Sequence, residues 1–328
     1  DWSEQLTFGF FAKNILNDSR RLFQLNKNES DPAHVFSKFG TGNKETLETV
    51  PLREGLDVRQ ILLDFHKQWY NGRLMRLSVL GREPLDTLQQ WVETMFSGVP
   101  PTPEDVSVPR FLDAGTPFRP GVDLARCFDI VPVRQLRWIR LSFLLPRVNH
   151  WVRTKPARFL SHIIGHEGPG SLLLFLKKRG LANGLYAGSG ISLDCFSTFR
   201  ITVQATESGM KQRDEVIRLV FGYLAMLRSR MVDSSSSLAS FRRIYREIWQ
   251  LSANRFRFKA KENPRKYVAS IARAMSNYDG LLEPEETLVG SYLGMVCPEE
   301  LSDECLAQVK LILFDCLVPD RLRLFCMH

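Results

Sequence analysis

Apolar and polar positions along the chain fall into two periods. Residues 9–27 read as a helix, with Asn14, Asn17, Arg20 and Arg21 on a polar side and Ile15, Leu22, Phe23 and Leu25 on apolar faces. Residues 31–51 are polar and contain glycine, and they read as a loop. Over 55–71, Val58, Ile61, Leu62, Phe65 and Trp69 recur at helical spacing, with Gly55 before them and Asn71-Gly72 after. "LMRLSVLG" (74–81) predicts a short strand, and "PLDTLQQWVETMF" (84–96) a helix opened by Pro84. Six prolines over 97–121 suppress any period and mark a linker.

Beyond the linker, strands are expected at 126–133 and 136–145, then a helix at about 154–165, a turn through "HEGPGS" and a short helix at 171–179. Strands at 184–191 and 194–204 precede long helices near 208–231 and 238–260. In the first of these, Val216, Val220, Tyr223 and Leu227 share a stripe. Helices near 264–276, 284–293 and 298–316 and a closing strand at 321–327 complete the pattern. Paired strands followed by runs of helices predict an α+β fold: antiparallel sheets packed by helices in two layers, not a doubly wound parallel sheet.

Composition changes this picture little. The 328 residues suffice for two domains, and 44% apolar with 24% charged residues suits a globular chain. No apolar run reaches the roughly 18 residues of a membrane span, so no membrane partner is expected. The opening "DWSEQLTFGFF" lacks the marks of a signal peptide and has no initiator Met, so the chain reads as processed or as part of something longer. Much of the +8 net charge lies between Arg242 and Lys266. That run fits a helix with a charged wet face and Ile244, Ile248, Trp249 and Leu251 turned inward, and no nucleic-acid partner is expected. Six cysteines (127, 195, 297, 305, 316, 326) include no CxxC pair. They read as free thiols of a reducing, cytoplasmic compartment rather than as a zinc site or a disulfide framework.

"HIIGHEGPGS" (162–171) is the first candidate for chemistry. His162 and His166 lie four apart, about 40° round a helix, and could share a face. Glu167 lies about 140° round from His162, whereas zinc-peptidase patterns put the glutamate between the histidines, where Ile163, Ile164 and Gly165 stand. A helix end feeding a tight turn at Gly168-Pro169-Gly170 is the better account. "GTGNKET" (40–46) lacks the spacing of a phosphate loop, and no GxSxG elbow occurs.

Several stretches together resemble the insulysin branch of the pitrilysin-type zinc metallopeptidases. They are "NDSRRLFQL" (17–25), "FSKFGTGNKETLET" (36–49), "GLDVRQILLDFH" (55–66), "LMRLSVLGREPLDTL" (74–88), "IVPV" (130–133), "HIIGHEGPGSLL" (162–173) and "FRFKAKENPRKY" (256–267). The resemblance implies a clamshell of repeated α+β domains. Residues 1–110 would be the C-terminal half of the first, and residues 111–328 the whole of the second, non-catalytic one. It implies that the inverted zinc motif HxxEH lies outside this chain. The third ligand position falls near Phe10, where no carboxylate stands. No cofactor is therefore expected in this chain, although the parent enzyme would carry zinc.

The resemblance also gives the "HIIGHEGPGS" stretch a role as an exosite that anchors peptides by a free N-terminus. The carried-over positions are His162, Gly165, Glu167, Leu185, Ala187 and Ser189, with Phe23 and Thr41 near the substrate. Ala187 stands where glycine is common, Ser189 where a longer polar side chain is common, and Arg20 where an aromatic is usual. The expected partners are peptides or small proteins with a free N-terminus, the remaining domains of a parent peptidase, or a second copy of the chain. A truncated pseudo-peptidase acting as an interaction protein is the alternative.

Overall fold

In the strand β2, Trp138–Leu145, the side chains of Ile139, Leu141, Phe143 and Leu145 alternate with Arg140, Ser142 and Leu144, and all seven are buried. A strand covered on both faces belongs inside a sheet. The structure, a computed structural model, describes residues 18–38, 42–101, 114–132, 136–232 and 235–328. Within them β1 (Arg126–Ile130), β2, β3 (Ala182–Ser192), β4 (Ser197–Ala205) and β5 (Leu322–Met327) form one five-stranded sheet in the order β1-β5-β2-β4-β3. Antiparallel pairing holds for β2 with β4, β2 with β5 and β3 with β4. The expectation of wholly antiparallel sheets needs one correction, because β1 and β5 run parallel.

The helices in chain order are α1 (Asp18–Asn28), α2 (Val50–Arg53), α3 (Val58–Trp69), α4 (Leu85–Phe96), α5 (Pro156–Ile164), α6 (Leu172–Lys178), α7 (Glu207–Lys211) and α8 (Arg213–Val232). They continue with α9 (Ser235–Arg257), α10 (Pro264–Asn277), α11 (Pro284–Thr287), α12 (Leu293–Val296) and α13 (Asp303–Leu311). One sheet face packs on α5, α6, α8, α9 and α13. Val216, Val220, Leu224, Leu227 and Met231 of α8 join Phe199, Ile201 and Val203 of β4 in this core. In α9 the buried stripe is Phe241, Tyr245, Ile248 and Ser252. Leu251 falls one position off that stripe and is exposed, against expectation.

Other sequence expectations shift for local reasons. The predicted loop 31–51 contains a 3-10 turn at Val35–Ser37 and helical turns from Glu45 through Arg53. The long helix expected from 208 breaks at Gln212, where α7 ends. Gly209 lets that short helix pack closely on Leu181, since a Cβ there would lie 1.9 Å from the Leu181 carbonyl oxygen. The helix expected over 284–293 is two separate turns, α11 and α12. The one expected from 298 starts only after Ser302, whose hydroxyl accepts the Cys305 N–H at 3.1 Å. Residues 75–80 are not a strand: no described segment pairs with them. The part of the 9–27 helix before Asp18 and residues 102–113 of the linker lie outside the described residues.

The opposite sheet face carries α1. Leu22 packs on Phe128, Ile130, Phe325 and Met327. Beside it Arg323, only 2% exposed, is sandwiched by aromatic rings, its guanidinium carbon 4.4 Å from the Phe118 centroid and 5.0 Å from that of Phe128. It donates to Asn26 Oδ1 at 2.9 Å and to the Glu29 carbonyl at 3.3 Å. Burial pushes the guanidinium down to about 10. By contrast α3 and α4 expose their apolar stripes, with Leu62 61% and Met95 68% accessible. Arg323→Ala is expected to cost about 2–4 kcal/mol, from lost charge-assisted hydrogen bonds and a cavity among the rings. Urea unfolding followed by circular dichroism checks this. Arg323→Lys recovers little of the loss, because a lysine cannot both stack and fork.

Candidate functional site

The terminal strand β3 has β4 on one side only, so its outer edge has no strand neighbour among the described residues. Its side chains alternate. Leu185 points into the helix-side core and is buried, whereas Tyr186 on the open face is exposed. Glycines at 184, 188 and 190 keep the strand slim. The C-terminal end of α5 lies against this strand at Gly165, where a Cβ would sit 3.7 Å from the Ala187 nitrogen and 2.8 Å from the Ser161 carbonyl oxygen. A Cβ there would crowd the Ser161 carbonyl while only touching the strand at van der Waals distance. The helix stops at Ile164, and the chain turns through Gly168-Pro169-Gly170, with Gly170 at φ +80°. Ser171 caps α6, its Oγ accepting the Leu174 N–H at 3.1 Å. Glu167 is exposed on the connecting turn, with no hydrogen-bond or ion-pair partner among the described residues.

The candidate residues do not form one cluster. Gly165, Leu185 and Ala187 come together at the α5–β3 contact, but Leu185 offers an edge backbone, not a side chain. His162 and His166, with rings 6.4 Å apart, face a different hollow of about 580 Å³ between α5, α8 and α9, lined also by Tyr223, Arg243 and Glu247. Burial, and then the neighbouring His166, hold His162 below the ordinary imidazole range. Ser189 borders a hollow of about 650 Å³ that also includes Arg147, Lys155 and Arg158. Lys155 is in the left-handed region at φ +47°, and burial lowers its ammonium. Phe23 lines a hollow of about 260 Å³ on the open face, with Arg140, Gly190 and Arg200, and meets Phe36 edge-on at 5.7 Å. Arg200 Nη2 donates to the Ser189 carbonyl at 3.3 Å, linking this hollow to β3. Thr41 lies outside the described residues.

Could these residues hold the zinc that the resemblance implies for a parent enzyme? Among the described residues, His162, His166 and Glu167 do not converge as a ligand group, and the sequence has no HxxEH. They do not fit that metal, and no catalytic step follows from them. One group does converge: Cys127, Asp129 and Cys326 bring their ligand atoms within 4.8 Å of one another. By sequence spacing alone these cysteines are scattered free thiols. A signal was available in "RCFDI" and "FCMH", where C-x-D and C-x-H each put two ligating residues on one face of a strand. The strand pairing that unites them was not readable.

The chain matches the family described as "Peptidase M16 inactive domain" over residues 57–235, and it belongs to that family. It is similar to the insulin-degrading enzyme of Homo sapiens, with 40% identity over 281 residues, covering 86% of this chain and 26% of that protein. It is also similar to the A-factor-processing enzyme of Saccharomyces cerevisiae, with 36% identity over 312 residues, covering 95% and 28%. A crystal structure of pitrilysin superposes with a TM-score of 0.77 at 26% identity, covering 95% of this chain and 30% of that one. The chain thus spans about a quarter of the length of these curated relatives. Among the described residues no helix is long and apolar enough to cross a membrane.

Thiol reactivity follows from the site's electrostatics. The Cys326 thiol donates to Cys127 sulfur, which holds Cys127 below the usual thiol range, while burial pushes Cys297 up to about 11 and Cys305 up to about 12. In the metal-free native chain near pH 8, an alkylating agent is expected to label Cys127 first and to leave Cys297, Cys305 and Cys316 unlabelled until unfolding. Because the thiolate is the reactive form, the Cys127 rate should reach its plateau at a lower pH than that of an ordinary thiol. Peptide mapping by mass spectrometry over a pH series reads both outcomes.

Proposed function

We propose that this chain is the substrate-anchoring, non-catalytic portion of an insulysin-like zinc metalloendopeptidase. A peptide would add as a strand to the outer edge of β3, with its free N-terminal amine held by Glu167. The observation that carries this reading is the unpaired β3 edge, with an exposed carboxylate without an ion-pair partner on the turn that follows the adjoining helix. Strand addition supplies backbone hydrogen bonds without regard to sequence, and the carboxylate supplies polarity at one end. On this reading His162, Gly165, Leu185, Ala187 and Ser189 shape the approach, and Phe23 and Thr41 lie farther along the peptide. The likeness to insulin-degrading enzymes supports a peptide substrate class. The zinc and the hydrolytic step would belong to parts of the parent outside this sequence, and free thiols suit a cytoplasmic setting.

The exposed stripes of α3 and α4 favour cover by the remaining domains of the parent, with residues 1–110 as half of a shared domain. Without that cover the isolated chain is expected to self-associate through them. Sedimentation across a hundredfold concentration range should show reversible association that Leu62→Glu weakens. A strictly monomeric wild type argues that these stripes need no cover.

The anchoring role is tested with peptides of about 20–40 residues, free or acetylated at the N-terminus and labelled at the C-terminus. Removing the amine is expected to weaken binding about tenfold, the low end for a charge-assisted hydrogen bond at an exposed site. Glu167→Gln should erase most of that difference and leave the strand contribution. Equal anisotropy titrations for both peptides on wild type and variant would sink the anchoring role and favour a pseudo-peptidase scaffold.

A further inference from the structure

At the β1–β5 end of the sheet, four side chains with ligating atoms share the helix-side face. Cys127 and Asp129 alternate along β1, and Cys326 and His328 alternate at the end of β5. The parallel register sets Asp129 opposite Cys326. The two sulfurs and a carboxylate oxygen lie within 4.8 Å of one another, and His328 Nε2 is 3.8 Å from Asp129 Oδ1. Arg213, at the start of α8, reaches the same oxygen at 2.5 Å. We propose that Cys127, Cys326, Asp129 and His328 form a binding site for a thiophilic divalent cation of the zinc class. This site is separate from the β3 edge and from any catalytic zinc of a parent enzyme.

Three observations favour a metal over the other uses of two neighbouring cysteines. A tetrahedral ion sits about 2.3 Å from sulfur and about 2.0 Å from oxygen or nitrogen, so its ligands stand roughly 3.3–3.8 Å apart. The two sulfurs and the carboxylate oxygen need only a small contraction to meet that spacing, and His328, outside that group but 3.8 Å from Asp129 Oδ1, swings in to complete it. Cys127 pairs in register with Leu324, two residues before Cys326. Strand geometry then puts the two cysteine Cα atoms about 8 Å apart, beyond the roughly 4.4–6.8 Å that a disulfide accepts. Charge closes as well. Two thiolates and a carboxylate carry three negative charges, balanced by the Arg213 guanidinium and a divalent ion, with the imidazole neutral. Cys326 is fully buried whereas Cys127 and Asp129 are exposed, which leaves a path for the ion to enter.

The test uses the full chain, reduced and stripped of metal. Cobalt(II) titration is expected to give one equivalent of uptake, with intense visible bands of a tetrahedral ion and sulfur-to-cobalt charge-transfer bands in the near ultraviolet. Zinc should then bleach both at one equivalent. Cys127→Ser, a change at an exposed position, should abolish the charge-transfer bands and stoichiometric zinc, and His328→Ala should weaken binding. His162→Ala and His166→Ala should change neither. Circular dichroism of Cys127→Ser separates lost binding from lost fold, and Asp129→Asn serves as the second variant, with weaker binding expected. The proposal is overturned by no uptake at one equivalent or by uptake unaltered in Cys127→Ser. Conversion of the pair to a disulfide in place of metal uptake, read as a mass lower by two hydrogens, also overturns it.

Discussion

Burying the Arg323 guanidinium between aromatic rings is the constraint on which the rest of the open sheet face depends. A cation out of water is costly unless its donors find acceptors, and here Asn26 Oδ1 and the Glu29 carbonyl supply them for the two terminal nitrogens. Both acceptors sit at the end of α1, so that helix cannot drift without stranding the charge. The rings of Phe118, Phe128 and Phe325 complete the cage. Phe118 in turn meets Phe36 and Phe196 edge-on, at 6.0 and 5.6 Å. One buried charge therefore ties the segment before the linker to the sheet after it. It also holds Phe23 over the same face that Arg140 and Arg200 line.

That arrangement leaves the two sheet ends with different chemistry. At the β3 end the backbone is unpaired and the side chains are small, so what the edge offers is hydrogen bonding without sequence preference. At the β1 end the edge carries sulfur, carboxylate and imidazole, and it offers ligands. Between them the central strands are covered on both faces, which keeps the two ends rigidly spaced. The hollow holding His162 and His166 lies on the helix side, away from the open-face hollow that Phe23 borders, so an anchoring surface and a histidine-lined surface can act independently.

Much of this was legible in the chain. Helices α3, α4, α5 and α6 and the strands β2 to β5 announce themselves by period and by Pro, Gly and Ser at their ends. The family match over 57–235 agrees with the resemblance read from "HIIGHEGPGS" and its companions. What stayed hidden were consequences of pairing and packing. "LMRLSVLG" has the composition of a strand, but a strand exists only with a partner, and none pairs with it among the described residues. Leu251 looked inward on a broad apolar face, yet the true stripe runs through Phe241, Tyr245 and Ile248. The break at Gln212 has no mark in the sequence, and the close approach of Gly209 to Leu181 just before it is a tertiary contact. The Cys127–Cys326 juxtaposition depends on a parallel register between segments about 200 residues apart.

The position of β5 has a consequence for how the protein is made. A ribosome delivers β2, β3 and β4 in order, and β4 can pair with β2 on one side and β3 on the other as soon as it emerges, while synthesis continues. β1 cannot join them, because its place in the sheet is beside β5, and everything from 131 to 321 must emerge before β5 does. Until then β1 has no bonding neighbour and one edge of β2 stays bare. Closing so long a loop is entropically slow, so completion of the sheet waits until the roughly 190 residues between β1 and β5 have been made. The nascent chain therefore passes through a stage with a sticky inner edge, the stage at which a chaperone has most to shield.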